Sequence, residues 1–202
     1  KLMTLEEREI IAYHESGHAI VSWMIQHAAP LVKVTIVPRG KSLGAAWYLP
    51  EERQITRTEQ ILDEICATLG GRAAEETMFK KISTGALNDL EKVTEQAKAI
   101  VAIYGLNKII GNITYYDSSG EQSYFNKPYS EHTAQIIDQE IKKIIDIEYA
   151  RAKKILNTHK KELTKLSKIL LEKEVIFQED LENILGKRKW TQASKVNIKK
   201  SK

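Results

Sequence analysis

The sequence contains a single cysteine, Cys66, among its 202 residues. An intrachain disulfide framework and a cysteine-rich zinc site are therefore excluded, and the composition favours a reducing compartment. Long apolar runs are also missing, because the best of them, residues 19–25, is far shorter than the ~20 residues of a membrane-spanning helix. No signal peptide is recognisable, and the chain begins at Lys1 rather than methionine, so we expect it to be part of a longer protein.

Neither sign of charge dominates the body of the chain. Lys and Arg number 31 against 27 Asp and Glu, but seven of these bases lie in residues 187–202, which contain no acid. Without this segment the chain has 24 bases and 27 acids, which argues against nucleic acid as a partner. We expect one folded domain over residues 1–186 and a basic, disordered tail over residues 187–202.

The composition and periodicity are those of a mainly α-helical protein. Hydrophobic residues make up 42% and charged residues 29%, which excludes an intrinsically disordered chain. Apolar residues at intervals of three and four predict helices over residues 5–26, 56–78, 88–104, 131–158, 161–172 and 178–185. Alternating residues predict one small β-hairpin, with strands over residues 31–37 and 43–49 and a turn over residues 38–40.

Small residues mark two places in these predicted elements. Gly70 and Gly71 lie inside the second helix, where each costs about 1 kcal/mol relative to alanine, so we interpret the pair as a point of close helix packing. The second strand combines small and aromatic residues over 45–49. Such a strand suits an edge position, where an extended peptide can pair with it, although an inner strand is the alternative.

One motif carries the chemistry: His14-Glu15-Ser16-Gly17-His18, on the first predicted helix. Residues four apart on a helix share a face, so both imidazoles can reach one point and hold Zn²⁺ at ~2.0–2.1 Å. Glu15 lies close enough to take a proton from a water molecule there without being a ligand. The small residues between the ligands allow another segment to pack closely. We expect the remaining histidines to be solvated: His27, His132 and His159.

A catalytic zinc ion requires a third protein ligand. The extended motif with a glycine and a third histidine at fixed offsets fails, because Val21 and Met24 occupy those positions. The third ligand is therefore distant in sequence, and three acidic candidates remain: Glu75, Glu76 and Asp89. The motif alone does not fix the bond that is hydrolysed, so a metal-dependent hydrolase of a non-peptide substrate and an inactive helical interaction module remain alternatives.

Further motifs follow in a recognisable order: VKVTIVPRG at residues 32–40, LGGRAAEE at 69–76, STGALND at 83–89 and YGL at 104–106. Together with the histidine motif, they make residues 5–186 resemble the peptidase domain of FtsH. This family of membrane-anchored AAA+ zinc metalloproteases includes the mitochondrial m-AAA proteases.

This resemblance implies a mainly α-helical zinc-peptidase domain with one small sheet, and it implies roles for individual residues. His14, His18 and Asp89 would bind Zn²⁺, Glu15 would be the general base, and Glu75 would support the site as a neighbour. The segment AAW at residues 45–47 departs from the family pattern and leaves the substrate preference open. Ser16, where alanine is more frequent in the family, is a harmless departure.

The resemblance also implies partners and a location. The substrates would be unfolded, damaged or unassembled polypeptides, and six copies would form a ring below an ATPase ring. This sequence contains neither a G-x-x-x-x-G-K-[ST] phosphate-binding loop nor an anchor helix. We therefore expect ATP with Mg²⁺, and contact with the membrane, only for an N-terminal part of the parent protein. A bacterial parent would lie in the inner membrane, with this domain on the cytoplasmic side.

Overall fold

The computed structural model describes residues 3–38, 43–49, 53–118 and 127–190. The order of elements in this part of the chain is α1 (Leu5–Met24), β1 (Leu31–Thr35), β2 (Ala45–Tyr48), α2 (Thr58–Phe79), α3 (Leu87–Lys98), α4 (Glu131–Thr158), α5 (Lys160–Lys173), β3 (Val175–Phe177) and α6 (Gln178–Leu185). The mainly α-helical class with one small sheet, predicted from the sequence, is confirmed. None of the helices described is long and apolar enough to cross a membrane.

The sheet is antiparallel in the order β2-β1-β3, so the predicted hairpin is joined by a third strand. β3 is missing from the prediction because three residues are too few to show an alternating pattern. Thr35 of β1 pairs with Ala45 on one side and with Val175 on the other, which leaves β2 at an edge of the described sheet. The turn predicted over residues 38–40 lies largely outside the described residues.

Local signals set the helix boundaries. The Thr4 hydroxyl accepts a hydrogen bond from the Glu7 N–H at 3.1 Å, and the Glu7 carboxylate accepts one from the Thr4 N–H at 2.7 Å, so that both cap α1. α1 ends earlier than predicted because the backbone of Ile25 is already extended. The helix predicted over residues 88–104 is divided, since a π-helical turn over Ala99–Ile103 follows α3.

α1 is the central helix of the core, because every residue from Ala12 to Trp23 is buried. Its apolar side chains pack against α5, which contributes the fully buried Leu163, Leu166 and Leu170. A second cluster joins α2 to α3 and the turn that follows it. Buried polar groups need hydrogen-bond partners, and the buried part of α1 contains the whole of the histidine motif.

α1 and α2 approach so closely at Gly17 and Gly70 that neither position has room for a side chain. A Cβ atom at Gly17 would lie 2.3 Å from the Gly70 carbonyl oxygen, and one at Gly70 would lie 2.7 Å from the Gly17 carbonyl oxygen. The close helix packing predicted from the glycine pair is confirmed. Ser16 beside this contact is fully buried, and its hydroxyl has no hydrogen-bond partner among the described residues.

The chain beyond α6 is described as far as residue 190. Within these last residues, Arg188 is half-buried and donates hydrogen bonds to carbonyl groups of the loop after α1. The rest of the predicted basic tail, residues 191–202, lies outside the described part of the chain. The domain boundary after residue 186 therefore stays a prediction.

We expect Gly17→Ala to destabilise the fold by about 3 kcal/mol, because the new methyl group meets backbone atoms that can move only if the helices separate. Ser16→Ala is the matched control on the same helix and should be neutral or stabilising, since it removes a buried hydroxyl that has no described partner. Denaturant unfolding of both variants measures the difference. Equal unfolding midpoints would contradict the close approach of α1 and α2.

Candidate metal centre

Three side chains from two distant segments converge on one point. His14 and His18 lie on α1, and Asp89 lies in the first turn of α3. The two Nε2 atoms are 3.0 Å apart, and Asp89 Oδ2 is 3.1 Å from Nε2 of His14 and 3.3 Å from Nε2 of His18. Donor atoms held tetrahedrally by one zinc ion at ~2.0–2.1 Å are about 3.3 Å apart. These three atoms therefore have the spacing of three corners of a zinc-binding tetrahedron.

Oxygen atoms of α2 fix the orientation of both imidazoles. His14 Nδ1 lies 2.7 Å from Glu75 Oε1, and His18 Nδ1 lies 3.1 Å from the carbonyl oxygen of Ala67. A carbonyl oxygen can only accept, so Nδ1 of His18 is the donor, and a carboxylate imposes the same role on Nδ1 of His14. When the ring is neutral, each Nε2 then carries the lone pair that faces the common point.

The three acidic candidates for the third ligand differ in the groups that their carboxylates contact. Among the described residues, Asp89 completes a donor group with the two histidines. Glu75 has both carboxylate oxygens engaged, Oε1 with His14 and Oε2 with the Ser83 N–H at 2.8 Å. The carboxylate of Glu76 instead accepts a hydrogen bond from the hydroxyl of Tyr149 on α4. Glu75 thus lies behind His14, and Glu76 lies away from the donor group.

Two glycines make room for side chains of the histidine motif because they have no side chain of their own. A Cβ atom at Gly71 would lie 2.4 Å from His14 Nε2, so α2 can pass beside this imidazole only without a side chain there. A Cβ atom at Gly44, just before β2, would lie 2.7 Å from Glu15 Oε1. The sequence signal for Gly71 was the glycine pair, which indicated close packing but gave no reason to connect it with the histidine.

Burial and neighbouring charges shift the pKa values of these groups. Burial lowers the pKa of His14, but the hydrogen bonds to Asp89 and Glu75 outweigh it and raise this pKa to about 9. Burial raises the pKa of Asp89, but the hydrogen bonds to His14 and His18 hold it well below its ordinary value. A divalent cation at the common point would take the place of the proton on His14. Burial raises the pKa of Glu15 by more than the charges of the two histidines lower it. The higher pKa makes the Glu15 carboxylate a stronger base.

The donor group lies in a cleft of about 670 Å³. Besides the motif residues, its lining includes Ala45, Ala46 and Tyr48 of β2, and His27, Ala28 and Ala29 of the loop between α1 and β1. His27, which the sequence predicted to be solvated rather than a metal ligand, is half-buried in the cleft lining and lies outside the donor group. This loop carries no motif, so sequence reasoning did not connect it with the site.

Comparison with known proteins shows where the chain belongs. Residues 1–184 match peptidase family M41. The ATP-dependent zinc metalloprotease FtsH of Parabacteroides distasonis is 60% identical over 194 residues, which cover 96% of this chain and 28% of that relative. The mitochondrial inner membrane m-AAA protease component AFG3L2 of Mus musculus is 44% identical over 189 residues, covering 94% and 24%. The chain spans about a quarter of the length of these curated relatives. The chain therefore belongs to peptidase family M41.

Proposed function

We propose that this chain is the zinc-dependent endopeptidase domain of a longer, ATP-dependent protease, with His14, His18 and Asp89 as zinc ligands and Glu15 as general base. One observation carries the proposal: the three donor atoms lie 3.0–3.3 Å apart while oxygen atoms hold the other nitrogen of each ring. Two imidazoles and one carboxylate are a donor set typical of catalytic zinc. The M41 match and the names of the relatives support the same metal.

The surrounding residues divide the work of peptide hydrolysis. Zinc at this point would polarise the scissile carbonyl and lower the pKa of a water molecule. Glu15 is outside the donor group but lines the same cleft, so its carboxylate can accept a proton from the attacking water and return it to the leaving amine. Glu75 and the Ala67 carbonyl keep the two imidazoles in place, so neither ring has to reorient during the reaction.

The sheet supports a peptide as the substrate. β2 is an edge strand of the described sheet, as predicted for residues 45–49, and its residues line the cleft. An edge strand offers N–H and C=O groups that can pair with an extended peptide, largely independently of the peptide's sequence. We infer that the cleft binds extended polypeptide, which favours a peptidase over a metal-dependent hydrolase of small molecules.

The parent protein is proposed to be membrane-anchored and to assemble as a homo-hexamer. The FtsH relatives are named as ATP-dependent, and the relative of Mus musculus is named as a component of a mitochondrial inner membrane protease. The resemblance to FtsH is our ground for proposing a ring of six copies and the degradation of unfolded or unassembled proteins. ATP hydrolysis and the anchor belong, in this proposal, to segments of the parent other than residues 1–202.

We expect Glu15→Gln to retain one zinc ion per chain and to lower peptide hydrolysis by about 10²–10⁴-fold, because it removes the general base and leaves the ligands intact. His18→Ala should lose both zinc and activity, because it removes a ligand. Metal analysis of the purified variants and hydrolysis of a fluorogenic peptide measure both effects. Loss of zinc from Glu15→Gln would reject the division of roles between Glu15 and the histidines.

Asp89→Ala should lose zinc affinity and activity together, because Asp89 supplies the carboxylate oxygen of the donor group. Glu75→Ala should lower zinc affinity or activity by about 10–100-fold, as expected for a residue that holds a ligand. Glu76→Ala is the matched control, since this carboxylate contacts Tyr149 instead. A zinc titration of the three variants ranks them, and a greater loss in Glu75→Ala than in Asp89→Ala would show that the roles are reversed.

This chain alone should cleave casein broadly but leave a stable folded domain intact, because only an extended chain can pair with β2. The full-length parent should degrade the same folded domain when ATP is supplied, and should have the mass of six copies in light scattering. Gel-based degradation assays compare the two substrates. Digestion of the folded domain by this chain at the rate of casein would refute the need for an unfolding motor.

A further inference from the structure

The loop between α1 and β1, residues 25–30, contributes His27, Ala28 and Ala29 to the cleft lining. The last carbonyl groups of a helix have no partner within the helix. The last turn of α1 contains no basic residue that could interact with them. Ile25 and Ala28 are 7% and 3% exposed, so the loop is withdrawn from water at these two positions, whereas Gln26 between them is exposed. The carbonyl groups of Ile25 and Ala28 therefore need partners from elsewhere in the protein.

Arg188, which is 160–163 residues away in the sequence, donates hydrogen bonds to these carbonyl groups. Its Nη2 atom lies 2.7 Å from the Ala28 carbonyl oxygen, 2.9 Å from that of Ile25 and 3.3 Å from that of Gln26. A positive charge at the C-terminal end of α1 also interacts favourably with the helix dipole. One side chain thus holds the carbonyl groups of the first part of the loop.

The backbone around Arg188 is itself attached to the same helix. Gly186 adopts φ of +77°, which favours glycine, and its N–H donates to the Glu182 carbonyl at the end of α6. The Gly186 carbonyl accepts a hydrogen bond from Trp23 Nε1 of α1 at 3.1 Å. The chain therefore turns after α6 and delivers Arg188 to the end of α1.

The same loop is held from a second direction. The His27 N–H donates to Asp63 Oδ2 on α2 at 2.9 Å, and Asp63 Oδ1 accepts a hydrogen bond from Arg151 of α4 at 2.6 Å. Asp63 is buried, so this carboxylate is directed into the protein rather than to solvent. Arg188 fixes carbonyl groups of the loop, and Asp63 fixes an N–H group between them.

We propose that Arg188 is a positioning residue for substrate selection. By holding the carbonyl groups of residues 25, 26 and 28, it sets the shape of the cleft wall formed by residues 27–29 and so the fit of the substrate side chain bound there. This inference rests on the proposed function, which assigns the cleft to a peptide. Because α2 holds the imidazoles of His14 and His18, Arg188 affects substrate binding and not metal binding.

The test compares Arg188→Gln and Arg188→Lys with the control Lys187→Gln, which removes an exposed charge from the neighbouring residue. For a fluorogenic peptide, Arg188→Gln should raise KM about tenfold, because losing a hydrogen bond to a charged group changes an equilibrium constant by about this factor. Its kcat and zinc content should stay within about twofold, because the bound substrate and the transition state lose the same binding energy. A peptide library should show weaker residue preference at one substrate position. Arg188→Lys should have a KM between those of the wild type and Arg188→Gln.

Hydrogen exchange of the metal-free proteins gives a readout that needs no activity. Exchange over residues 25–29 should be faster in Arg188→Gln than in the wild type and Lys187→Gln. Unchanged exchange overturns the proposal, and so does faster exchange with unchanged KM and unchanged residue preference. If Arg188→Gln does not fold, intermediate exchange and KM in Arg188→Lys support the proposal, and wild-type values overturn it. Absence of zinc binding or hydrolysis in the wild-type protein overturns the proposed function instead. The exchange data distinguish the two failures, because they test the contact between Arg188 and the loop without any activity.

Discussion

The close approach of α1 and α2 is the constraint on which the site depends. At Gly17 and Gly70 the two backbones leave no room for a Cβ atom, and one residue further along, Gly71 leaves room only for the His14 imidazole. With the helices this close, oxygen atoms of α2 reach Nδ1 of both histidines. A larger spacing would leave two buried imidazoles without partners, at a cost of about 1–3 kcal/mol for each unsatisfied group.

The donor group is one part of a larger polar network inside an otherwise apolar core. Glu75 links His14 to the Ser83 N–H, next to the turn that begins α3 and places Asp89. The carboxylate that orients the His14 imidazole therefore also holds the segment that leads to Asp89. Such a network rigidifies a site when every member has a partner. This arrangement explains why α1, α2 and α3 converge at a single point although the sequence separates them.

The part of the site that could be predicted from sequence is the part that local geometry determines. The spacing of His14 and His18 within one helix and the glycine pair on α2 each have a direct structural meaning. Spacing alone left Glu75, Glu76 and Asp89 equivalent, because the position of α3 relative to α1 depends on tertiary packing, and only the family resemblance favoured Asp89. β3 was too short to show an alternating pattern. Arg188 is one of several basic residues after α6, and nothing in the sequence distinguishes it as the one that contacts the loop after α1.

A crystal structure of the zinc-loaded protein, with anomalous scattering recorded at the zinc edge, tests the central claim most directly. The account predicts one zinc ion with Nε2 of His14 and of His18 at about 2.0–2.1 Å and an Asp89 oxygen at about 2.0–2.2 Å. Glu75 should remain on Nδ1 of His14, and the Glu15 carboxylate should face the cleft outside the ligand set. A Glu75 oxygen bound to the metal, with Asp89 turned away, would contradict the account.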